Sequence, residues 1–155
     1  MARISQLGIA IGALGAMVML MGLFPGITGV QPTSGVGVLQ LFTVLFGFTL
    51  LIIGALIYVK FAYYISQPAT LTQQIGTRLA LTGIMLAALA GLADALGFGS
   101  HGAEFTEQNF LGPWQAGGII GSYIMSCLGV LIYALGGDPD PAHFSRRDDD
   151  EDDDE

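Results

Sequence analysis

Few residues in this chain have the chemistry of a reactive site, and Asp94 is the first of them. It is the one acid inside a long apolar block, Ile75–Phe98. It follows Gly91 by three positions and Ala87 by seven, so on a helix it shares their face and turns toward a neighbour. A carboxyl group deep in a bilayer-crossing helix marks a proton or cation path. Asp94 lies only about one turn from the end of its block, so it is expected to be an interfacial carboxylate hydrogen-bonded to the loop that follows. That loop, about Gly99–Pro113, carries His101, Glu104 and Glu107. Spacings of three can gather these groups around a metal, with Asp94 as a fourth ligand. The set is mixed, the stretch is glycine-rich and no HExxH frame supports it. A solvated loop with a helical turn near Glu104–Gln108 is expected instead, with no metal and no cofactor. His143 lies far down the chain, so two facing intramembrane imidazoles for haem are not available.

Gln40 and Gln115 are the other polar side chains that recur in comparable places, and a hydrogen bond between them would act as glue between helices. Cys127 is the single cysteine, so neither an internal disulfide nor CxxC chemistry can form; it is read as a small packing residue. No serine–histidine–acid set and no phosphate-cradling glycine loop can be assembled, and Lys60 is the only lysine. The chain is not expected to be an enzyme.

The elements that must position these groups are four apolar blocks, at about Leu7–Phe24, Val36–Val59, Ile75–Phe98 and Trp114–Leu135. A hydrocarbon core about 30 Å thick needs roughly 20 helical residues, and each block comes close. Mean hydropathy is +0.64 and 12% of the 155 residues are charged, about half the proportion usual in soluble domains. Four buried helices of this kind would leave a soluble protein almost no polar surface. An integral membrane protein with four transmembrane helices is therefore expected. The first block also suits a secretory signal, because Arg3 precedes it. Its length, its glycines and its likeness to the third block favour a retained span.

The formal charge of −8 is local. Residues Asp138–Glu155 contain ten acids and two arginines, and end in eight consecutive acids, whereas residues 1–137 balance Asp94, Glu104 and Glu107 against Arg3, Lys60 and Arg78. Such a run repels itself, so residues 138–155 are expected to form a disordered acidic tail on a neutral body. Neither part suits nucleic-acid binding. Arg3, Lys60, Arg78, Arg146 and Arg147 all fall on one side of a four-span topology, and the stretches Pro25–Gly35 and Gly99–Pro113 hold no lysine or arginine. The positive-inside rule then places both termini in the cytoplasm of a multi-pass protein of the cell membrane.

The chain also repeats itself. "GALIY" at Gly54–Tyr58 returns as "GVLIY" at Gly129–Tyr133, and an ungapped overlay of residues 3–58 on 78–133 matches twelve of 56 positions. That is about twice the chance count in so glycine-rich a composition. The matches include Arg3/Arg78, Gly8/Gly83, Gln40/Gln115 and Tyr58/Tyr133. Each unit reads as a helical hairpin, and a two-span unit preserves orientation. Two parallel-repeat hairpins in a pseudo-symmetric four-helix bundle are expected.

Burial drives little association between helices in lipid, so close packing at small residues matters more. The candidates are Gly8, Gly12 and Gly15 in the first span, Gly83, Ala87 and Gly91 in the third, and Gly117 and Gly121 in the fourth. Their partners are left open between other spans of the chain and other proteins. The functional expectation is a small membrane protein of structural or interaction type, an accessory subunit or packing module of a larger assembly. Its partners would be the bilayer and other membrane subunits or further copies of itself. A small oligomeric transporter or channel using Asp94, Gln40 and Gln115 is the alternative.

Overall fold

A computed structural model describes residues 2–29, 37–65, 67–93 and 113–137. Four helices account for most of them: α1 (Ala2–Leu23), α2 (Val38–Tyr63), α3 (Leu71–Leu92) and α4 (Pro113–Leu135). Each is long and apolar enough to cross a membrane. The four apolar blocks are helical, with ends shifted from those expected. α3 begins four residues early because Thr70 caps it: the Thr70 hydroxyl accepts from the Gln73 N–H at 3.2 Å, and the Gln73 side chain accepts from the Thr70 N–H at 3.2 Å. This reciprocal box satisfies donors that a helix start otherwise leaves unpaired. A short 3-10 turn, Pro25–Thr28, follows α1 and closes at Gly29 with φ 76°, a left-handed conformation natural to glycine. Pro113 opens α4, where a proline sacrifices no helical hydrogen bond.

The helices pair in chain order, α1 with α2 and α3 with α4, as two antiparallel hairpins. Inside each hairpin the contact is backbone on backbone. A Cβ placed on Gly8 would lie 2.6 Å from the Tyr58 nitrogen, and one on Gly76 would lie 2.6 Å from the Tyr133 nitrogen. Further along, Gly15 abuts Gly47 and Leu51, and Gly83 abuts Ser122 and Ser126. The inward residues recur every seven positions: Gly8, Gly15 and Gly22 against Gly54, Gly47 and Gln40. A seven-residue repeat is what left-handed winding of two helices sustains.

These contacts follow a register of their own, offset from that of the ungapped overlay. The overlay equates Gly8 with Gly83, yet Gly8 faces Gly54 and Tyr58 whereas Gly83 faces Ser122 and Ser126. The residue facing Gly129 and Tyr133 is Gly76, one heptad earlier. Arg78 lies two turns inside α3.

The hairpins meet through α2, which touches both α3 and α4. The core of this seam is Phe48, Ile52 and Ala80, with Ile84, Tyr123 and Val130 packed around them. The rings of Phe48 and Tyr123 stack at 3.8 Å between centroids and 22° between planes. A pseudo-symmetric bundle would bring α1 onto α4 as closely as α2 onto α3. Instead α1 packs on α2, and only 11% of its apolar window is buried, against 33% for α2 and 28% for α3 and α4. The contact between the hairpins is thus made chiefly by α2, which faces both helices of the second hairpin.

Candidate functional site

Asp94, His101, Glu104 and Glu107 lie outside the described residues, as do His143 and the acidic tail. Every acid and both histidines fall there, so among the described residues no cluster of metal ligands forms. What the described residues build is a set of helix-to-helix junctions, and their geometry is specific.

Of the predicted packing residues, Gly8, Gly15 and Gly83 are buried against the partner helix of their own hairpin. Gly12 is half-buried and supplies the backbone surface on which Gly54 rests. Ala87 is 1% exposed. Gly91 joins the seam instead, where a Cβ would meet the Leu45 side chain of α2 at 2.8 Å and that of Leu41 at 3.6 Å. Gly117 and Gly121 do not pack against any of the described residues. Both are exposed, with nothing within 4 Å of where a Cβ would stand. The cause is register: Gln115, Ser122 and Gly129, spaced by seven, turn α4 toward α3 and leave Gly117 and Gly121 on the outer face.

Gln115 is used inside its own hairpin. Its Nε2 donates to the Ala90 carbonyl at 2.8 Å and to the Gly91 carbonyl at 3.4 Å, near the end of α3. Gln40 occupies the matching level of the other hairpin, its carbonyl 3.3 Å from a Cβ built on Gly22. Ser126 is fully buried and its hydroxyl donates across the hairpin to the Ala80 carbonyl at 3.0 Å. Cys127 is exposed on α4.

A second junction lies where α2 ends, α3 begins and α4 ends. The last carbonyls of α4 need partners from outside the helix. The Tyr64 hydroxyl donates to the Ala134 carbonyl at 2.7 Å, and the Thr70 hydroxyl donates to that of Gly136 at 2.5 Å. Tyr64 also sets its ring edge-on to Tyr133 at 6.5 Å, and Lys60 Nζ donates to the Gln67 carbonyl at 3.0 Å. Tyr58, Tyr63, Tyr64 and Tyr133 form a continuous chain of ring contacts at this end, the arrangement favoured where a bilayer meets water. A Cβ on Gly137 would run into the Tyr64 ring and the Gln73 amide, so the chain leaves α4 past a point where a larger residue would displace those side chains. This clasp was not anticipated from the residues, although Thr70-x-x-Gln73 carries the form of a capping box.

Among the described residues, two buried polar atoms have no hydrogen-bond partner, Nε2 of Gln73 and the hydroxyl of Tyr123. The Gln73 amide lies beside the Tyr64 ring at the clasp. The Tyr123 hydroxyl lies in the seam.

Comparison of the chain with known protein families, with curated proteins and with solved structures finds no match.

Proposed function

We propose that this chain is a small multi-pass membrane protein of structural type, an accessory subunit or packing module that lends preassembled helical hairpins to a larger membrane complex. The observation that carries this reading is the contrast between the two kinds of contact. Within a hairpin the backbones touch, whereas large apolar side chains on all four helices are left exposed. α1 in particular offers nearly a whole helix to its surroundings, including exposed Leu7, Leu14 and Met17. The neutral body adds no charge to steer a soluble substrate.

A duplicated hairpin is part of the proposal, with a correction to its offset. The first helices correspond at 68 residues and the second helices at 75, so the connecting loops differ by seven. Gln6/Gln74, Gly8/Gly76, Gly15/Gly83 and Met17/Met85 are identical at the first offset, and Gln40/Gln115, Gly54/Gly129 and Tyr58/Tyr133 at the second. The matching contacts of Gly8 and Gly76 support this reading. Both termini are placed in the cytoplasm by the five lysine and arginine residues.

Purification of the full chain from native membranes in mild detergent tests the function. Stoichiometric co-purification of other membrane subunits is the expected result. A protein that always runs alone overturns the proposal.

A further inference from the structure

We infer that the seam between the two hairpins is a joint, which opens at the end away from the Tyr64 clasp and uncovers the Tyr123 hydroxyl. The two sides of such a joint must be rigid, and they are. Backbone contacts at Gly8, Gly15, Gly76 and Gly83 leave no space in which the helices of a hairpin can part without losing their packing.

The seam is different in kind. It is made by side chains, with Phe48 stacked on Tyr123 and the ends of Leu41 and Leu45 over Gly91. It also contains the one buried hydroxyl left without a partner among the described residues. Ser122, Ser126, Thr43, Thr49, Thr77 and Thr82 all donate to carbonyl oxygens. A buried donor without an acceptor penalises the closed arrangement, and lipid offers no replacement. Opening from the free end lets water follow the parted faces in from the membrane surface to the hydroxyl and gives up the ring stack, so a gain and a loss oppose each other across two arrangements. The clasp fixes where the pivot lies: the Tyr64 hydroxyl, at the end of the first hairpin, holds the Ala134 carbonyl of the second. A packing module requires no moving joint, so this inference goes beyond the proposed function.

The test uses the full chain in lipid nanodiscs, with Cys127→Ser as background and pairs of spin labels. One pair, at Leu39 and Trp114, sits at the free end on residues 81% and 90% exposed; the other, at Ile4 and Leu135, sits at the clasp end. The expected result is two distance populations for the free-end pair and one for the clasp-end pair. Tyr123→Phe, which removes the unpaired hydroxyl and keeps the ring, shifts the free-end populations toward the shorter distance. A single narrow free-end distance overturns the inference. So does a Tyr123→Phe variant whose populations stay unchanged or move toward the longer distance.

Discussion

Gly54 and Gly121 are both glycines in long apolar helices, and the structure gives them opposite consequences. A Cβ on Gly54 runs into the Gly12 backbone, which cannot retreat. Gly54→Ala is expected to destabilise the first hairpin by about 1–3 kcal/mol, the usual cost of overpacking. Gly121→Ala meets nothing within 4 Å and gains up to about 1 kcal/mol of helix propensity, so it should be neutral or stabilising. Thermal unfolding of both variants in the same detergent measures the difference. Tyr64→Phe keeps the edge-on contact with Tyr133 and loses the bond to the Ala134 carbonyl; a loss of about 1 kcal/mol is expected in the same assay. Small residues were legible in the sequence as packing residues, but their facing was not. A search at four-residue spacing selects Gly117 and Gly121 together with Gly83, Ala87 and Gly91. The contacts follow sevens, which bring Ser122 and Gly129 inward and turn Gly117 and Gly121 out.

Helix length and type could be read directly, since four apolar runs of about 20 residues in so short a chain have few other uses. Register could not. Glycines recur every seven positions in α3, at Gly76 and Gly83, so sliding α1 along it by one heptad still lays glycine on glycine. An overlay scored by identity is nearly blind to that slip, whereas the contacts with Gly54 and Gly129 favour the proposed offset. The clasp was legible only in part: the capping box shows in Thr70 and Gln73, but Tyr64 meets Ala134 across 70 residues, and no local pattern announces so distant a partner. At this scale the hairpins are expected to outlast the seam. In native-state hydrogen exchange in nanodiscs, amides facing the hairpin interiors, such as those of Gly47 and Ser126, should exchange together within each hairpin. A single cooperative opening of all four helices would contradict two separate units.

The molecule as a whole presents apolar helices outward, a neutral body and an acidic stretch after residue 137. Topology reporters fused after Glu155 are expected to read out on the cytoplasmic side, since no lysine or arginine falls in the other two loops. Activity on the far side would remove the basis for the orientation. Asp94→Asn in reconstituted vesicles separates the structural reading from the transporter: a structural carboxylate leaves ion flux unchanged, and a large fall in flux favours transport. The candidate chemistry in the Asp94–Glu107 region was legible as residue types but remains a matter of chemistry alone, because no described neighbour of α4 supplies a carboxylate or an imidazole to it.

The clasp also sets a timetable for the making of this protein. The hydroxyls of Tyr64 and Thr70 leave the ribosome 70 and 66 residues ahead of the carbonyls they will hold. Through the whole synthesis of α3 and α4 they wait unanswered. A nascent chain halted just short of Ala134 would hold two finished arms without the knot that ties them, so the final few residues of the last helix decide when assembly is complete.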